Sequence, residues 1–112
     1  MSAMRRSVAA KAKPAAAPRE TRMGPAAVSS RLLELPGWAA PRGRRLVRRF
    51  RTKDFDDALA FVVRIGAIAK RRDHHPDVTF GWGYVEPSVW THSAGGVTEL
   101  DFELAAAITR AA

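Results

Sequence analysis

Residues 54–76 read DFDDALAFVVRIGAIAKRRDHHP, and the apolar spacing changes character where this stretch ends. Asp54 is a good N-cap, and Asp57 lies three residues on, near the positive end of a helix dipole. Phe55, Ala58, Leu59, Val62, Ile65, Gly66 and Ala69 recur at helical spacing, with Phe61 and Ile68 widening the stripe. The run closes on Lys70-Arg71-Arg72, which suits the negative end of the dipole. Glycine costs about 1 kcal/mol against alanine inside a helix, so Gly66 predicts close packing on a neighbour. After Pro76 the period becomes that of a strand. Val78, Phe80 and Trp82 form a short one, and Gly81 and Gly83 allow a bend. Val85, Val89 and Thr91 share one face of a longer strand; Tyr84, Glu86, Ser88, Trp90 and His92 share the other. Pro87 has no ladder hydrogen bond to donate, which predicts an edge or a bulge.

Upstream, Pro25 to Leu35 reads as a short helix with Leu32 and Leu33 as its apolar contacts, ended by Pro36-Gly37. Trp38 opens a short strand. Pro41-Arg42-Gly43 is a turn, and Arg45 to Arg51 continues as a strand around Leu46, Val47 and Phe50. Downstream, Ser93 to Gly96 is a loop. Thr98-Glu99-Leu100-Asp101 is a capping box opening a helix through Ile108, with Leu100, Leu104, Ala107 and Ile108 as its buried stripe. The order α-β-β-α-β-β-α predicts an α+β fold: a four-stranded, largely antiparallel sheet with three helices packed on one face. The other face carries Trp90 and Tyr84, large aromatics that point to an oligomer contact.

The 112 residues suffice for one compact domain. The net charge of +8 sits unevenly: residues 1–24 hold six basic side chains against Glu20, and the remainder holds 13 basic and 10 acidic ones. The Ala/Pro/Arg composition of 1–24 has almost no large apolar side chains to offset ordering, so this segment reads as a disordered tail and 25–112 as the domain. An electrostatic arm, a transit peptide, a start at Met23 and an idle tail all remain open for it. There is no cysteine, and no run approaches the roughly 18 to 20 apolar residues of a membrane span. A soluble, cytoplasmic protein is expected.

The three histidines are His74, His75 and His92. An imidazole titrates near neutral pH and can donate or accept a proton at little cost. Two in one turn and a third on a nearby loop suit a reaction needing an acid and a base on one small substrate. Structural histidines are nevertheless common, and spacing alone does not separate the readings. A zinc site would need further ligands, and adjacent histidines diverge in an extended segment, so no metal is expected. Asp101 can serve the capping box, orient a histidine, or both. Asp73 can simply cap the turn after the long helix.

Set in a longer pattern, these residues gain meaning. The run Phe50, Phe55, Ala58, Phe61, then Asp73-His74-His75-Pro76, Val85, Thr91-His92, Gly95-Gly96, Thr98, Asp101 and Leu104-Ala105 resembles the pterin-4a-carbinolamine dehydratases. Gly37-Trp38 matches the start of that family's first strand, and the similarity covers about residues 30–110. The resemblance implies dehydration of 4a-hydroxytetrahydropterin to quinonoid dihydropterin, in tetrahydropterin recycling, with no metal and no bound cofactor. It implies homodimers or homotetramers assembled through the sheet. By position, His74, His75 and His92 match the active-site histidines, and Asp101 the supporting aspartate. Trp38 and Trp82 match positions of bulky residues near the pterin. His74 and His92 are expected to handle the protons, with His75 positioning the pterin or a water.

Three positions depart from the family pattern: Lys70, where an acid is frequent, Trp82, where tyrosine is frequent, and Pro87 inside the last strand. A non-catalytic dimerisation or binding module of the same fold is the competing reading. Nucleic-acid binding through residues 1–24 is a weaker one, since the body carries little excess charge.

Overall fold

The computed structural model describes residues 18–112. Its elements are α1 (Pro25–Leu32), β1 (Leu46–Val47), β2 (Phe50–Arg51), α2 (Phe55–Arg72), β3 (Asp77–Gly81), β4 (Tyr84–Val89) and α3 (Glu99–Ala111), with short 3-10 turns at Pro41–Gly43 and His92–Ala94. The α+β architecture and the order of helices and strands agree with the expectation. Every strand pairing is antiparallel and involves β4. The strand expected at Trp38 shrinks to a single bridge between Ala39 and Val47.

The strand expected over 45–51 is split, and Pro87 is the reason. Leu46 lies opposite Val89 and Val47 opposite Ser88; Phe50 lies opposite Val85 and Arg51 opposite Tyr84. This is one register on both sides of a gap, and the gap at Arg48–Arg49 faces Pro87 and Glu86. The Arg48 N–H still donates to the Pro87 carbonyl at 3.4 Å, but proline has no N–H to return. Pro87 therefore sits in the central strand, neither at an edge nor at a bulge as expected. It is accommodated because its nitrogen faces the open gap, while Val78 pairs with it across an unbroken β3–β4 ladder.

α2 begins at the expected cap, where the Asp54 carboxylate accepts from the Asp57 N–H at 2.9 Å. Its buried face is Ala58, Phe61, Ile65, Ile68 and Ala69, packed against the sheet and α3. Fully buried aliphatic side chains such as Ile65, Leu104 and Ile108 each contribute about 1.5–3 kcal/mol. The rest of the expected stripe is less covered: Val62 is half-buried against the core, Phe55 and Leu59 are exposed, and open space surrounds Gly66 where a Cβ would stand. Close packing at Gly66 is thus corrected, because the domain offers α2 neighbours on one side only.

α1 buries Val28 and lies against the Pro41–Gly43 turn. It ends at Leu32, which leaves Leu33 84% exposed, and Leu35 turns back into the core instead. In α3 the fully packed residues are Phe102, Leu104, Ala105, Ala107 and Ile108, with Leu100 only half-buried. Of the segment assigned to a tail, residues 1–17 lie outside the described residues. Residues 18–24 run along the domain: the Met23 N–H donates to Val97 O at 2.8 Å, Met23 packs on the core, and Arg19 pairs with Glu103. Among the described residues no helix is long and apolar enough to cross a membrane.

Candidate active site

Register brings the histidines to one end of the sheet. Asp77 pairs with Ser88, so continuing the β3–β4 ladder outward sets His75 across from Trp90 and His74 across from Thr91. The chain reaches that point through Asp73, which ends α2 in a left-handed conformation (φ 51°, ψ 42°). Aspartate tolerates this region better than most residues. The turn lets the His74 N–H donate back to Ala69 O at 3.1 Å and the Asp73 N–H to Lys70 O at 3.3 Å. Asp73 thus acts as the helix stop that aims His74 at the sheet end.

His74 Nε2 lies 2.6 Å from Asp101 Oδ1. Asp101 is wholly buried, and its other oxygen accepts from the Thr91 hydroxyl at 2.9 Å and the Thr98 N–H at 2.8 Å. A carboxylate only accepts, so His74 must present Nε2–H to it, leaving Nδ1 as the nitrogen with a free lone pair. The same logic orders the hydroxyls. Thr91 spends its proton on Asp101, so Thr98 donates to Thr91 across 2.7 Å. Asp101 therefore fills both roles left open for it: it closes the capping box of α3 and holds a histidine.

Thr91 is the hub of this arrangement. Its N–H donates to Gly96 O at 2.9 Å, and its carbonyl accepts from the Ala94 and Gly95 N–H groups at 3.1 and 3.0 Å. The loop that begins with His92 is thereby closed on itself, directly beside the His74–Asp101 pair. His92 is exposed, with its ring stacked on Trp90 at a centroid distance of 4.4 Å. His75 is exposed next to the half-buried His74. Thr91 was absent from the expected site residues, although its place immediately before His92 and ten residues before the capping acid was a usable signal.

Trp38 and Trp82, matched to bulky positions near the pterin, stand away from the histidines in this chain. Trp38 is a core residue: its Nε1–H donates to Thr109 Oγ1 at 2.8 Å and its ring meets Phe50 edge-on. Trp82 is 75% exposed in the β3–β4 turn, at the far end of β4 from His92, and the six residues of that strand separate its two ends by roughly 17 Å. Among the described residues no three His, Cys, Asp or Glu side chains cluster so as to hold a metal ion.

Comparison with known proteins shows the family of the chain and leaves the roles of these residues to chemistry. The family model described as pterin 4 alpha carbinolamine dehydratase matches residues 21–111. A protein of Rubrobacter xylanophilus, whose name assigns it to the pterin-4-alpha-carbinolamine dehydratases, is 47% identical over 77 residues, 69% of this chain and 72% of its own. The crystal structure of a transcriptional coactivator/pterin dehydratase from Brucella melitensis superposes with a TM-score of 0.77 at 33% identity, over 82% of this chain and 99% of that one. A pterin dehydratase-like protein identified as a RuBisCO assembly factor in the alpha-carboxysome shares the fold, with a TM-score of 0.51 at 24% identity over 60% and 77% of the two chains.

Proposed function

Because the chain belongs to the pterin-4a-carbinolamine dehydratase family, we propose that it dehydrates 4a-hydroxytetrahydropterin to quinonoid dihydropterin by acid–base catalysis on its own histidines, as a step of tetrahydropterin recycling. The observation that carries this reading is His74 held through Nε2 on the buried carboxylate of Asp101. Loss of water from the substrate breaks the C4a–O bond and removes the N5 proton. His74 Nδ1 takes the N5 proton, and the imidazolium that forms faces Asp101. His92, exposed on its Trp90 shelf, delivers a proton to the departing hydroxyl. His75 flanks His74 and positions the pterin or a water.

A stopped-flow assay of 4a-carbinolamine decay tests this. The purified protein accelerates decay, and His74→Ala or His92→Ala each removes about 10²- to 10⁴-fold of the enhancement. Decay at the spontaneous rate in the presence of wild-type protein rules the reading out.

A second reading, a binding module without chemistry, draws on the exposed apolar side chains of α2: Phe55, Leu59 and Val63. A homodimer or homotetramer would assemble through the other face of the sheet, where Tyr84 and Trp90 stay half-exposed. A stable complex with another protein, indifferent to histidine substitution, would favour the module; light scattering reports the self-association.

A further inference from the structure

The loop that carries His92 also borders a basic cleft that the dehydration chemistry does not use. Two adjoining hollows of about 460 and 490 Å³ share Arg42, Arg44 and Gly95. Arg22 lines the first, and Arg45 and Trp90 line the second. No acidic side chain lines either. Elsewhere Arg19, Arg31 and Arg49 each pair with a glutamate, whereas Arg22, Arg42 and Arg44 have no carboxylate partner among the described residues. Residues 1–17 contain no acid either, so they supply no counter-ion.

The cleft is also built with care. Arg42 is held in the left-handed region (φ 55°, ψ 17°), a conformation unfavourable for a residue with a Cβ and frequent where function over-determines the backbone. The glycine pair has a physical reason here. A Cβ on Gly96 would stand 2.7 Å from Arg22 Cδ, so glycine lets the Arg22 side chain lie across the loop. Arginines that line one cleft without a carboxylate partner suit phosphate oxygens, which guanidinium groups recognise often in bidentate fashion, and hollows of this size suit a small molecule.

We propose that this cleft is a phosphate site, and that it receives a phosphorylated C6 substituent of the pterin whose ring is handled by the histidines. The link is Trp90: its ring forms part of the cleft wall and stacks on His92. The ligand is thus an anionic pterin with its ring on one side of the His92–Trp90 pair and its phosphate on the other. The substrate part of this inference rests on the dehydratase reading; the phosphate site does not.

Two measurements on the full chain separate them. Inorganic pyrophosphate, titrated against tryptophan fluorescence, binds the wild-type protein; Arg42→Gln and Arg44→Gln each weaken it roughly tenfold, while Arg49→Gln does not. Stopped-flow decay of two carbinolamines, one with a 6-hydroxymethyl group and one with its phosphate ester, gives a KM at least about tenfold lower for the ester, and Arg42→Gln/Arg44→Gln brings the ratio towards one. Absent binding, or equal binding by the arginine variants, overturns the site. Pyrophosphate binding with equal KM values overturns the substrate assignment and leaves the dehydratase reading standing. Pyrophosphate binding with neither carbinolamine accelerated overturns the dehydratase reading and the substrate assignment with it. Tighter binding of a single-stranded oligonucleotide at the same arginines overturns the small-ligand claim.

Discussion

The loop from Thr91 to Thr98 has two sides that obey opposite rules. On the inner side Thr91, Thr98, Asp101 and His74 are joined by short hydrogen bonds, and both oxygens of a wholly buried carboxylate are engaged. On the outer side His92 is exposed, and Arg22, Arg42 and Arg44 meet no carboxylate among the described residues. A buried polar network is costly unless complete, so the inner side is stiff and fixes one tautomer of one histidine. The outer side gives up internal pairing and keeps its donors for a ligand. Position comes from the first and recognition from the second.

This contrast can be broken by mutation. The largest effect is expected at the histidines: His74→Ala and His92→Ala both lose about 10²- to 10⁴-fold in rate, yet only His74→Ala destabilises the fold, by about 1–3 kcal/mol, because Asp101 is left without its partner. Urea unfolding beside the kinetic assay checks this, and equal stability losses for both variants would erase the distinction. Next, Thr91→Val removes the hydroxyl donor to Oδ2 and costs about 1–3 kcal/mol, while Thr91→Ser restores most of it. Losses that are equal for the two variants would show that the hydroxyl is not the operative group.

The smallest effect lies outside both sides. Arg31 hydrogen-bonds Glu99, with the second contact at 3.0 Å, and this bond holds the Glu99 carboxyl below its usual value of 4.5. A lowered folded-state value means that the contribution is present above 4.5 and is lost as the pH falls through the lower folded value. Being partly exposed, the pair contributes no more than about 1 kcal/mol, so Glu99→Gln flattens the acid limb of the stability profile only slightly. A change as large as that of Thr91→Val would remove the contrast between a dry network and a surface pair.

What was legible in the chain followed from local rules. The Asp54 cap, the Thr98–Asp101 capping box and the change of period at Pro76 depend on neighbours in sequence, and the structure keeps them. That Asp101 could hold a histidine beside its capping role was left open in the chain; that the histidine is His74 emerges only from the fold. Other features depend on which elements become neighbours. Gly66 and Leu59 lie on a helix face that none of the described residues covers, and Leu33 lies just past a helix end. Pro87 sits in a central strand because the lost bond falls opposite Arg48. The reason for Gly96 lies in Arg22, which belongs to a segment read as tail.

The most direct test of the account is Asp101→Asn. The amide keeps an oxygen for Thr91 and Thr98 and turns its NH₂ towards His74, which then has to accept at Nε2 and carry its proton on Nδ1. The expectation is a variant with a native circular dichroism spectrum and cooperative melt whose stopped-flow decay rate falls by at least about 10²-fold. Wild-type turnover by the folded Asp101→Asn variant would contradict it, since the tautomer set by Asp101 would then have no part in moving the proton.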